Sequence, residues 1–189
     1  MLPEIDVSKA FIETNRLILR PFTQDDLSDF FAYASVPGVG EMAGWPHHEN
    51  IETTQMILDM FIEHKNVLAI VHRETGRVIG SFGFHDSWAN YDERYKDKRM
   101  CEIGYVLSKE FWGQGLMPEA VKACLSYGFN ELNLEIIGVC HFVDNHQSRR
   151  VIEKSGFTPV STGIFHAKQL KMDLPEIRYL MNRPEKIPD

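Results

Sequence analysis

Residues 100–142 hold four signals in a fixed order: an apolar strand, a turn with two glycines, an amphipathic helix and a second apolar strand. "MCEIGYVL" (100–107) and "IIGVCHF" (136–142) carry the branched and aromatic residues of strands. Between them Met117, Ala120, Val121, Cys124, Leu125 and Phe129 recur at helical spacing over about 116–130. A helical connection of this length suits a crossover, so the two strands are expected to lie locally parallel. The rest of the chain must build a sheet around that pair.

The flanking segments supply the strands and helices. "NRLILRPF" (15–22) alternates Leu17 and Leu19 with Arg16, Ile18 and Arg20, and Pro21 closes it. Thr23 then caps a helix carrying Leu27, Phe30, Phe31 and Ala34. The Gly- and Pro-rich stretch 37–50 is a loop, and the helix after it, 51–64, is expected to bury Ile51, Met56, Ile57, Met60 and Phe61. Two β-rich runs flank a hairpin turn at Glu74-Thr75-Gly76, and 89–99 is a polar connection. A short helix in "NHQSRRVIEKSGF" ends at Gly156, and strands around "GIFH" and "EIRYLMN" precede a frayed tail. The order β-α-α-β-β-β-α-β-α-β-β predicts an α/β fold, one mixed sheet of about seven strands flanked by about four helices.

At 189 residues, with 43% apolar and 25% charged, the chain fits one domain spanning 1–189, with no repeat or linker to divide it. Twenty basic against 27 acidic residues argue against direct nucleic-acid binding through phosphate neutralisation. Cys101, Cys124 and Cys140 are too far apart for a CxxC pair or a zinc site, which suggests a reducing compartment. "MLPEIDVSKAF" lacks the apolar core of a signal peptide or anchor, and no stretch reaches the roughly twenty apolar residues of a membrane span. A cytoplasmic protein is expected.

The turn "FWGQGLMPEA" carries the chemistry. A helix starting at glycines presents unpaired backbone N–H groups at the positive end of its dipole, an anion site that suits phosphate. Gly113 and Gly115 remove the Cβ atoms that would hold a phosphate off, and Pro118 falls in the first turn, where its missing N–H costs little. Two glycines alone more often mark a plain turn. Leu116 and Met117 stand where a nucleotide P-loop needs Lys and Ser or Thr, and there is no third glycine for a dinucleotide fingerprint. Any phosphate here is held by backbone, without a metal.

"CEIGYVLSKEFWGQGLMPEAV", "VDNHQSRRVIEKSGF" and "TNRLILRPFTQDDL" together resemble the GCN5-related N-acetyltransferase superfamily. Within it they resemble the branch of ribosomal-protein N-terminal alanine/serine acetyltransferases. The likeness runs from about residue 13 to 180. It implies the splayed acyl-CoA N-acyltransferase sheet and acetyl-CoA as cosubstrate. It places the pyrophosphate on Gly113, Gln114, Gly115, Leu116 and Met117, and the pantetheine alongside Tyr105, Val106 and Leu107. It also implies direct transfer of acetyl to an amine. Glu110 departs from the Gln or Arg common in the superfamily three residues before the first glycine, but Phe111-Trp112-Gly113 fits the branch.

An amine attacks a thioester only as the free base. Period two puts Glu102, Gly104 and Val106 on one face of their strand, and a carboxylate there is unusual. Gly104 would clear that face for a ligand. Glu102 falls where the resemblance implies a general base, acting directly or through water; the alternative is an ion pair with a neighbouring strand. The tyrosine that serves many members as general acid is replaced by Ile152, and Ser148 is the matching candidate, unless its hydroxyl serves only the first turn of its helix. Asn145 can cap that helix, bond the pantetheine, or do both. His85 and His141 lie near the expected cleft as proton shuttles or structural residues. His47 and His48 lack further metal ligands. Trp45 either meets the acceptor or pins its loop.

The acceptor implied by the branch is a protein N-terminus. A small amine such as a drug, polyamine or amino acid is the alternative, and a silent acyl-CoA-binding module is a third reading. The chain would act as a monomer or homodimer.

Overall fold

A computed structural model of the chain describes residues 5–185. The first four residues of the N-terminal segment and the last four of the tail lie outside the described residues. The strands are β1 (Ile12–Glu13), β2 (Leu17–Pro21), β3 (Val67–His72), β4 (Val78–His85), β5 (Met100–Leu107), β6 (Ile136–Phe142), β7 (Thr158–Ala167) and β8 (Met172–Asn182). The helices are α1 (Leu27–Ala34), α2 (Ile51–His64), α3 (Leu116–Asn130) and α4 (His146–Lys154). The two-residue β1 brings the sheet to eight strands, in the order β1-β2-β3-β4-β5-β6-β8-β7.

The expected parallel pair is present: β5 and β6 pair in parallel, while the pairings on either side of them are antiparallel. Their pairing covers only Met100–Ile103 against Ile136–Val139. Beyond it β5 stays with β4 as far as Leu107, and β6 stays with β8 as far as Phe142. The sheet therefore splits into a V. The β6-facing edge of residues 104–107 has no strand partner, and its backbone groups face the gap.

Alternation along the strands feeds two cores. Leu17, Leu19, Leu68, Ile70, Phe82, Cys101, Ile137 and Val139 pack with the apolar stripe of α3 and with Ile152 of α4. On the other face Val67, Ala69 and Val71 meet Phe30, Tyr33 and Leu58 of α1 and α2. The face expected for α2 is corrected here. Met56 is 64% exposed, and Ile51 and Met60 are also exposed, while Thr54 and Leu58 are buried. The buried stripe runs Thr54, Ile57, Leu58, Phe61 because Thr54 is tied inward: its hydroxyl lies 2.8 Å from Nδ1 of buried His48. The turn at Gly76 forms as read, with φ +70 and its N–H bonded to His72 O at 2.8 Å.

Candidate active site

The V opens into a cavity of about 1020 Å³. Of the site residues predicted from the sequence, all but Gln114 line it.

One wall is backbone. Gly113 and Gly115 both have φ +76, a conformation that L side chains rarely adopt, and Gly115 is the N-cap of α3. No side chain caps that N-terminus. A Cβ on Gly113 would meet nothing within 4 Å, so the glycine answers to the backbone angle and not to crowding within the free protein. Leu116 and Met117 turn their side chains into the core, leaving their backbone to face the loop. Gln114 is turned away from the cavity: its amide donates to Glu110 O at 3.0 Å, and its own carbonyl accepts from Arg16 Nη1 at 2.9 Å. Arg16 is in turn bound by Glu119, at 2.7 Å, from the first turn of α3. This brace was missed from the sequence. Its signal was an acid one turn inside a glycine-capped helix.

Along the free edge of β5, Val106 packs toward α1 and α2, and Leu107 O accepts from Trp112 Nε1 at 2.7 Å. Tyr105 points to the other side, where its hydroxyl lies 3.0 Å from Ser148 Oγ. Burial pushes the Tyr105 phenol above its ordinary value, so it stays protonated and can donate to Ser148. Asn145 Oδ1 accepts from Ser148 N–H at 3.0 Å, capping α4, while its Nδ2 donates to Met42 O at 3.0 Å. Asn145 therefore caps α4, and its amide N–H ties the loop at Met42. The position of the missing tyrosine, Ile152, is 1% exposed and belongs to the core.

The opposite wall is made of side chains. Burial raises Glu102 to about 7, helped by the nearby Glu176 carboxylate and opposed by a Cys140 thiol hydrogen bond, by Arg178 and by Ser87. Ser87 Oγ lies 3.5 Å from Glu102 Oε2, and no salt bridge fixes the Glu102 carboxylate among the described residues. Glu102 is thus a weakly held proton acceptor in a cleft. The His85 imidazole lies against the face that carries Gly104; a Cβ on Gly83 would overlap the ring, while one on Gly104 would meet it at an ordinary contact distance of 3.4 Å. Gly83 is therefore the glycine that makes room for His85. Desolvation holds His85 below its ordinary value, favouring the neutral ring.

Other histidines are taken up by structure. His141 is 3% exposed; its Nδ1 lies 2.8 Å from Phe142 O and its Nε2 lies 3.0 Å from Tyr179 Oη. His47 pairs with Glu41 at 2.8 Å. Among the described residues, no group of three or more His, Cys, Asp or Glu could hold a metal ion. Trp45 lines the cavity and packs over Gly40 and against His48, so it anchors its loop while presenting a face to the cleft. Glu176, missed from the sequence, completes this wall, and Arg178, also missed, holds it from behind. A carboxylate in the apolar run "EIRYLM" met the same criterion that singled out Glu102.

A family model described as "Acetyltransferase (GNAT) domain" matches residues 16–158. The chain belongs to the GNAT acetyltransferase family. It is 34% identical over 151 residues to YoaA of Bacillus subtilis (strain 168), an uncharacterized N-acetyltransferase, covering 77% of this chain and 81% of that one. Two solved structures share the fold. Ribosomal-protein-S5-alanine acetyltransferase from Vibrio fischeri superposes with TM-score 0.72 at 17% identity, covering 95% of this chain and 100% of that one. Spermidine N-acetyltransferase from Vibrio cholerae, in complex with CoA and spermine, superposes with TM-score 0.70 at 16% identity, covering 90% and 97%. This GNAT chain is an N-acetyltransferase; its relatives in fold include proteins named for both protein and small-molecule acceptors. Among the described residues no helix is long and apolar enough to cross a membrane.

Proposed function

We propose that the chain works as one catalytic domain that transfers acetyl from acetyl-CoA directly to the α-amine of a protein or peptide N-terminus, in the cytoplasm. The observation that carries the acceptor is the Glu102 carboxyl at about 7. A chain N-terminus has a reference value of about 7.7–8.0 and a lysine about 10.4, so proton transfer to Glu102 is nearly level for the first and steeply uphill for the second. The three cysteines are free thiols, in keeping with a reducing compartment.

Two features of the cleft support acetyl-CoA as the donor. The uncapped start of α3 suits the pyrophosphate, and the unpaired edge of residues 104–107 suits the amides of pantetheine. In this reading the acceptor ammonium gives a proton to Glu102, directly or through water. The freed nitrogen attacks the thioester carbonyl, the C–S bond breaks, and the proton the nitrogen must still lose passes to the departing thiolate through the Ser148 hydroxyl, which Tyr105 orients and which gives up one proton as it takes the other. Asn145 holds the first turn of α4 that presents Ser148.

An acceptor screen following thiol release tests this. N-terminal peptides should outrun lysine side chains, polyamines and drug amines. Efficient turnover of a small polyamine with inert peptides would overturn the acceptor, and absence of acetyl-CoA binding in calorimetry would overturn the donor site.

A further inference from the structure

Glu176 is 6% exposed, yet it borders the same cavity as Glu102. Burying a carboxylate costs several kcal/mol unless its partners are well placed. Here the partners are. Arg178 Nε donates to Glu176 Oε1 at 2.7 Å, and its guanidinium lies over the Trp88 ring, 5.0 Å from the centroid. On β7, Gly163 pairs with Glu176, and a Cβ on Gly163 would overlap the guanidinium. Only glycine there leaves the space that Arg178 occupies.

Strand register brings this couple to Glu102. Cys140 pairs with Arg178 and Phe142 with Glu176 across β6 and β8, while Glu102 pairs with Gly138, two residues from Cys140 on the same face. The Cys140 thiol therefore faces the Glu102 carboxyl. The groups facing Glu102 are His85 and Asp86 at the end of β4, Ser87 after it, Cys140 on β6, and Glu176 and Arg178 on β8. Ser87 and Cys140 are uncharged, and His85 is held toward its neutral form. Asp86 is exposed, where water screens its charge, and Glu176 and Arg178 are the charged groups whose fields reach the Glu102 carboxyl.

We propose that Glu176 is a positioning residue for Glu102, its carboxylate locked by Arg178 so that its negative field prepares Glu102 to take the proton of the acceptor ammonium. The proposal rests on the reading of Glu102 as base. The proton passes from the ammonium nitrogen to a Glu102 oxygen; Glu176 and Arg178 exchange none. Without Glu176 the guanidinium of Arg178 would hold Glu102 as a weaker base.

The test is the acidic limb of kcat/KM against pH, with acetyl-CoA saturating and one peptide acceptor throughout. The acceptor's own ionisation is common to all variants, so differences report the enzyme. Glu102→Gln should remove the enzyme's inflection near pH 7 and leave only the acceptor's own. Glu176→Gln should move the enzyme's inflection down by about one pH unit, with CoA affinity and melting temperature held. Glu176→Asp keeps the charge and should restore most of the wild-type midpoint. An enzyme inflection unmoved in Glu176→Gln overturns the inference while leaving Glu102 as base; an enzyme inflection near pH 7 that survives Glu102→Gln, beyond the acceptor's own, overturns the base reading itself. If Glu176→Gln does not fold, Glu176→Ala carries the same test by NMR titration of 13C-glutamate-labelled protein: the Glu102 midpoint should fall below the wild-type one, and an unchanged midpoint overturns the inference.

Discussion

The two walls of the cleft are made of different material. The wall from β5 to α3 offers backbone: an unpaired strand edge, two glycines at φ +76 and an uncapped helix start. The wall from β6 to β8 offers side chains: Glu102 reaching across from β5, then Cys140 and Glu176 with Arg178 behind, each placed by strand register. A backbone site recognises what every acetyl donor shares, its phosphates and amides, and needs only a chain path. A side-chain site tunes the proton affinity of one group, and depends on residues far apart in sequence.

The largest expected effect falls on the side-chain wall. Glu102→Gln should lower kcat by about 10²–10³, the range of a lost general base, with acetyl-CoA affinity unchanged in calorimetry. Equal losses of turnover and affinity would mean that the two walls are not separable. On the backbone wall Gly115→Val should do the reverse. A side chain at φ +76 costs about 1–2 kcal/mol and a branched one more, so acetyl-CoA affinity should fall at least about tenfold. The nearest atom to an added Cβ is Arg16 Nη2 at 3.7 Å, so strain rather than collision is the cause. Gly115→Val binding acetyl-CoA like wild type would remove the loop from the site.

Glu102 also ties activity to stability. Its folded value of about 7 stands above the ordinary carboxylate value of 4.5, so the stability it contributes is complete below about pH 4.5 and is lost as pH rises through 7. Glu102→Gln, which cannot ionise, should therefore melt above wild type at pH 8, by on the order of 2 kcal/mol, and match it more closely at pH 5. The measurement is a pair of denaturant titrations. A variant less stable than wild type at pH 8 would mean that the carboxylate is well solvated in the cleft and that its proton affinity is ordinary.

The same contrast explains what could be read from the sequence. Gly113, Gly115 and the stripe of α3 are local signals, so the crossover and its glycine corner were legible within thirty residues. Glu102 stood out as an acid in an apolar strand. Its partners did not, because Cys140, Glu176 and Arg178 become neighbours only through the β5–β6 and β6–β8 registers, which no spacing in the chain encodes. His85 folding over Gly83 was hidden for the same reason: glycine marks a vacancy but not its occupant. The buried face of α2 was misread because a polar contact, Thr54 with His48, rotates the stripe away from Met56 and Met60.

Asn145 belongs to both walls, which makes it the finest test of their separation. Its Oδ1 caps α4 beneath Ser148, and its Nδ2 reaches across to Met42 O in the loop that carries Trp45. Asn145→Ala removes a cap worth about 1 kcal/mol, which at this chain length lowers the melting temperature by roughly 2–4 °C. Asn145→Asp keeps the cap acceptor and loses the donor to Met42, so it should recover most of the stability while leaving the loop untied. If the tie matters to the acceptor, Asn145→Asp will show a raised KM for the peptide at near-normal melting temperature. If both variants move only with stability, Asn145 serves α4 alone, and the side-chain wall owes nothing to the loop's tether.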